Sequence, residues 1–151
     1  MFRTQRARCS AQRRRGAALV EAAIVLPIFF LAILAMVEFG RAMMVGQLVT
    51  NAAREGARRA ILYGSDGEEV RTHVTEFLQN AADIDPEHVD MTITVRPGPD
   101  RTGSPPEDLA DSASGDRVTV RVVVPWDQAG WGTLRWLGGK SFRGQATMRH
   151  E

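Results

Sequence analysis

The chain has 151 residues, room for one domain, and 44% of them are apolar. Its formal net charge of +1 hides a division: residues 1–16 hold six arginines (Arg3, Arg6, Arg8, Arg13, Arg14, Arg15) and no acid, leaving 13 basic against 18 acidic side chains in the rest. A basic tail on an acidic body argues against nucleic-acid binding, and a single cysteine, Cys9, excludes an internal disulfide and a multi-cysteine metal site.

In chain order, the tail comes first. Cys9 follows the polar run Gln5-Arg6-Ala7-Arg8, whereas a lipidated cysteine needs an apolar run ahead of it. Ala22–Val37 then runs 16 residues without a charge, and Ala17–Val20 extends it to 21 residues with one interruption, Glu21. About 20 apolar residues cross a bilayer core, so residues 17–37 read as a transmembrane helix with Glu21 near its cytoplasmic edge. A secretory signal peptide fits less well, because no small-x-small cleavage site with a polar flank follows the run. A buried core helix fits least, because the arginine cluster abuts it. Pro27 reads as a bend within the span. The arginine bias puts residues 1–16 in the cytoplasm and the body outside it.

Glu21 needs a partner or an interface position, since a charge within a span is costly. One reading is a carboxylate reaching back to the interface. The other follows from Gly16-Ala17: if the chain is cut there, the new amine of Ala17 and the carboxylate of Glu21 stand at i and i+4 on one helix face.

The run Arg13-Arg-Arg-Gly16 followed by Ala17-Ala-Leu-Val-Glu21 resembles the prepilin peptidase site of type IV pilin-like proteins. Taken with Ala22-Ala-Ile-Val-Leu-Pro27, Val37-Glu-Phe-Gly-Arg41 and Asn51-Ala-Ala-Arg-Glu-Gly-Ala-Arg58, it resembles the TadE-like family, densely over residues 13–61 and faintly beyond, with Ala146-Thr-Met-Arg149 also similar to the family's end. It departs from the pilin-like pattern at Ala22, where an aromatic is usual. The resemblance implies a non-enzymatic pseudopilin or accessory component in the assembly of a Flp-type (tight-adherence) pilus or related secretion system. It also implies cleavage between Gly16 and Ala17, with Glu21 as a helix-pairing carboxylate. The implied partners are membrane lipid, other pilin-like or Tad assembly proteins and a prepilin peptidase; no cofactor and no nucleic acid are expected. The alternative is a membrane-tethered extracytoplasmic binding domain unrelated to pili.

Beyond the span, Val45, Leu48, Val49, Ala52, Ala53, Gly56 and Ala60 recur at three- and four-residue steps, an apolar helical stripe opposite Gln47, Asn51, Arg54, Glu55 and Arg58. The small residues serve close packing on the chain's own domain or, as the second reading, Asn51, Arg54, Glu55 and Arg58 meet a partner; the packing reading is preferred. Gly64 is the expected stop. A second helix is predicted over Ser65–Ala82, with Ser65 and Glu68 as a capping box and Val70, Val74, Phe77, Leu78 and Ala81 as its apolar face. Strict alternation predicts strands over His88–Arg96 and Arg117–Pro125, and a weaker one over Phe142–Glu151. Residues 97–116, with four prolines and three glycines, read as a mobile surface loop. Trp126, Trp131 and Trp136, five residues apart among glycines, serve to cap a small core, to anchor at a bilayer surface or to form a protein interface, with the core reading preferred.

The fold class that follows is α+β: a long N-terminal helix, a second helix, and an antiparallel sheet of about three strands. The organisation is a basic cytoplasmic leader over 1–16, a transmembrane helix over 17–37 and an extracytoplasmic domain over 38–151, in a single-pass protein of the bacterial inner membrane. Enzyme signatures are lacking: His73, His88 and His150 have no ligand spacing, no G-x-S-x-G elbow appears, and no phosphate-binding G-x-x-x-x-G-K-[ST] loop appears. Glu107, Asp108 and Asp111 suit solvation better than acid–base chemistry.

Overall fold

A computed structural model describes residues 4–62, 65–99, 108–129 and 139–150. Helix α1 runs over Thr4–Ala60, helix α2 over Gly67–Ala82, and strands β1, β2 and β3 over Asp90–Arg96, Arg117–Pro125 and Ser141–Arg149. The chain divides into two compact units, Met1–Phe39 and Gly40–Glu151.

Among its described residues, the first unit is helix alone. Pro27 lies inside it and the helix continues past it; the missing amide leaves the carbonyl of Ala23 without its usual donor. Every large apolar side chain from Leu19 to Val37 is exposed.

The second unit is a two-layer sandwich. Its sheet is an antiparallel meander in the order β1-β2-β3, with Ile93 opposite Val120 and Val120 opposite Ala146. Alternation along β2 sends Val118, Val120, Val122 and Val124 to one face, where all four are fully buried. Both helices lie on that face. From α1, Val45, Val49, Ala52, Ala53, Ala57 and Ala60 enter the core, joined by Val70, Val74 and Leu78 from α2. The small residues of α1 let the layers close: a Cβ added at Gly56 would meet Val74 Cγ2 at 2.8 Å and Val120 Cγ1 at 3.3 Å. The packing reading of the Asn51–Arg58 motif is therefore the one its small residues follow.

Several boundaries differ from the sequence expectation, each for a local reason. Helix α2 is capped by Asp66, whose carboxylate accepts from the Glu68 amide at 3.4 Å. Ser65, expected as the cap, instead turns its hydroxyl to the carbonyls of Arg59 and Leu62, at 2.7 and 2.8 Å, where it closes the end of α1. Phe77 is half-buried and Ala81 exposed, so the buried stripe of α2 is Val70, Val74 and Leu78. Strand β1 begins at Asp90 because Pro86–His88 forms a 3-10 turn capped by Asp85, which accepts from the Glu87 amide at 3.0 Å. Strand β3 ends at Arg149, and His150 turns back to bond Asp116 and Gly115 through its backbone.

The segment 97–116 is not a free loop where it is described. Leu109 is buried in a second 3-10 turn. Asp116 is fully buried: its Oδ1 accepts from the Gly98 amide at 2.9 Å and its Oδ2 from the Ala113 amide at 3.0 Å. A carboxylate that satisfies two backbone donors ties both ends of the connection to the sheet. The expected stop at Gly64 and the acid Glu107 lie outside the described residues.

Candidate functional site

The singled-out residues that are exposed fall on two surfaces, one in each unit. In the first, Gly16, Ala17 and Glu21 share one continuous helix, and all three are exposed. Ala17 and Glu21 are separated by four residues, about 6 Å of helix rise, so their side chains lie on one face. Nothing lies within 4 Å of the Cβ position at Gly16. Among the described residues, one helix is long and apolar enough to cross a membrane, and it is this one. Its exposed apolar length has a clear physical meaning. A run of bare leucine, isoleucine and phenylalanine needs either a partner surface or lipid around it. At the far end of the run, Glu38 has an oxygen, Oε1, that is buried with no hydrogen-bond partner among the described residues.

In the second unit, α1 presents Asn51, Arg54 and Arg58 outward, all exposed. Asn51 and Arg54 line an open groove of about 410 Å³ with Met43, Gly46, Gln47 and Thr50. Glu55 is different: it turns toward α2, with its Oε1 3.9 Å from His73 Nε2, a pair that is ionic only when the imidazole is protonated. The four polar residues of the motif are thus divided between an outward face and a contact within the domain.

Trp126 is buried and packs on Phe142, with ring centroids 5.2 Å apart. Its amide also bonds the carbonyl of Lys140 at 2.8 Å, closing the connection from β2 to β3. It belongs to the core and offers little surface to a partner. Trp131 and Trp136 lie outside the described residues. Among the described residues, no three His, Cys, Asp or Glu side chains come together as a metal ion requires.

One surface was not singled out in the sequence. The solvent face of the sheet carries Arg96, Arg117, Arg121, Arg143 and Arg149, all exposed. Alternation alone places each of them outward; only strand register shows which of them are neighbours.

The family model described as TadE-like protein matches residues 16–58, which is the apolar span together with the small-residue stripe of α1. The sheet lies outside that match. No curated protein and no solved structure gives a significant match.

Proposed function

We propose that this chain, whose residues 16–58 match the TadE-like family model, is a single-pass bacterial membrane protein with a non-enzymatic role in assembling a Flp-type (tight-adherence) pilus or related secretion system. The observation that carries this reading is the coincidence of the family match with the one described helix long and apolar enough to span a membrane. Lipid accounts for the exposed side chains from Leu19 to Val37. The arginines before the span hold the leader in the cytoplasm, so Gly40–Glu151 faces the extracytoplasmic side.

The mechanism is one of anchoring and contact. A prepilin peptidase cuts after Gly16, where no side chain obstructs access to the backbone. Cleavage removes the basic leader and leaves a cationic amine on Ala17 beside Glu21. The paired charges cost less in lipid than the carboxylate alone, and they give other pilin-like helices a polar attachment point. Outside the membrane, Asn51, Arg54 and Arg58 meet other Tad assembly proteins.

The decisive experiment is deletion and complementation in the native bacterium. Loss of the gene is expected to abolish surface pili and adherence. Wild type restores them, whereas a variant with Ile28→Arg and Leu31→Arg does not. Mass spectrometry of the membrane-purified protein is expected to find Ala17 at the N-terminus, and Gly16→Ile to block the cut. Undiminished piliation without the gene would refute the assembly role, and an intact leader in a strain with its peptidase would refute the pseudopilin form of it.

A further inference from the structure

The solvent face of the sheet is built in rows across the strands. Arg96, Arg117 and Arg149 stand directly opposite one another in register. The next row is Thr94, Thr119 and Thr147, with the last two hydroxyls 2.9 Å apart. Arg121 and Arg143 lie further along the same face. An open groove of about 430 Å³ runs over these rows. Like charges set directly opposite in a sheet oppose its pairing, and among the described residues none of these five arginines has an ion-pair partner. A row of this kind is a cost to the free domain and an asset only when an anion covers it.

In the other layer of the same unit, α2 carries charge of the opposite sign. Glu69 and Glu76, seven residues and about 10 Å apart on α2, form an exposed acidic stripe with Asp83, the residue that ends the helix. Asp85 and Glu87 extend it past the helix end, both exposed, while Glu68 beside it is 3.8 Å from Arg71 of the same helix. Because α2 buries Val70, Val74 and Leu78 against the sheet, this stripe faces away from the arginine rows. The arginine rows and the acidic stripe of α2 thus lie on opposite sides of the sandwich, and the outward Arg54 and Arg58 of α1 share the helical side with that stripe.

The geometry points to a head-to-tail contact between copies of this chain, in which the arginine rows of one copy sit on the acidic stripe of α2 in the next. Guanidinium groups fork onto carboxylates with two parallel hydrogen bonds, which fixes orientation as well as sign. A two-fold dimer through the sheet would set arginine against arginine, and charge forbids it. The contact is therefore heterologous: each added copy leaves one arginine face and one acidic stripe open, so the array can grow. The inference rests on the charge of the outer unit alone and stands apart from the pilus reading.

The test uses the full chain in nonionic detergent, with a photo-crosslinking residue in place of Thr119 and sedimentation as the second readout. Wild type is expected to self-associate at low salt, to approach the monomer at about 0.5 M salt, and to cross-link from position 119 into residues 66–87. Arg117→Glu with Arg149→Glu, or Glu69→Arg with Glu76→Arg, is expected to weaken association about tenfold or more. Mixing the two variants restores the cross-link, because each then offers the other a face of opposite sign; this rescue also shows that both variants are folded. Cross-links mapping to another sheet face or to α1 overturn the proposal, as does association indifferent to both reversals. A monomeric wild type that binds inorganic polyphosphate through the same arginines overturns it too, and gives the face to a non-protein anion.

Discussion

At Gly144 the third strand and the long helix meet backbone to backbone. A Cβ there would lie 2.7 Å from the carbonyl carbon of Val49 and 2.9 Å from Thr50 Cα. Neither atom belongs to a side chain that can turn aside, so Gly144→Ala is expected to lower stability by about 1–3 kcal/mol, read as a downward shift of the urea midpoint of the full chain in detergent. Gly46 is the contrasting case. A methyl added there meets only the Phe142 ring, at 3.6 Å, and alanine favours the helix by about 1 kcal/mol over glycine. Gly46→Ala should therefore raise the midpoint, and a fall would show that α1 packs more tightly there than this spacing allows. Asp116 works through hydrogen bonds. Removing its carboxylate leaves the buried Gly98 amide without its acceptor, at about 1–3 kcal/mol, while the Ala113 amide, on an exposed residue, loses its acceptor at the surface. Asp116→Ala is expected to speed amide exchange first at those two positions, ahead of the strands.

At the scale of elements, α2 and β2 illustrate two ways in which a surface pattern becomes energy. In α2 the buried stripe is narrow: Leu78 is fully buried whereas Phe77 is only half-buried. Leu78→Ala is expected to cost about 2–5 kcal/mol, and Phe77→Ala less than its larger ring would imply, since part of that ring already contacts water. A larger loss at Phe77 would mean that the helix is rotated from its described position. In β2 the issue is charge. Arg117 faces Arg96 on one side and Arg149 on the other. A glutamate between two arginines replaces two repulsions by two attractions, so Arg117→Glu alone should raise stability by roughly 0.5–1 kcal/mol after allowance for solvent screening. A more stable protein that associates less well would show that the row serves contact rather than folding.

For the whole molecule, the two units ask for different surroundings. Gly40–Glu151 buries a hydrophobic core of its own, from Val45 to Val124. From Leu19 to Phe39 the large apolar side chains are exposed. The first has a core of its own, and the second needs lipid or a partner surface around it. Orientation then depends on which end carries the arginines. Alkaline phosphatase fused to the C-terminus is expected to be active, and a fluorescent protein that matures only in the cytoplasm to stay dark in the same position. Arg13→Glu, Arg14→Glu and Arg15→Glu together should reduce the phosphatase signal. A bright cytoplasmic fusion would invert the topology.

Much of this was legible before any coordinates because it depends on neighbours in the chain. The apolar run, the alternation of Val118, Val120, Val122 and Val124, and the small-residue stripe from Ala52 to Ala60 are local periodicities, and an element's type follows from the face it must bury. Arg117–Pro125 was bounded correctly for that reason. Where two local patterns competed, the outcome was decided elsewhere. Ser65 and Asp66 can each cap a helix, and the free carbonyls at the end of α1 claimed Ser65. Trp126 and its two companions look alike in sequence, but Phe142, sixteen positions on, makes Trp126 a core residue. Asp116 fell at the end of the segment read as a surface loop, and only the folded chain brings the Gly98 and Ala113 amides onto it. The arginine row is the clearest instance. Alternation sends Arg96, Arg117 and Arg149 to the solvent side of three separate strands. Whether they stand together or apart depends on register, and a slip of one strand by two residues would keep every side chain on its face while scattering the row. The sequence by itself determined what each segment buries, because burial is a property of local pattern; only the tertiary structure decided which charges are neighbours, because pairing is a property of segments far apart in the chain.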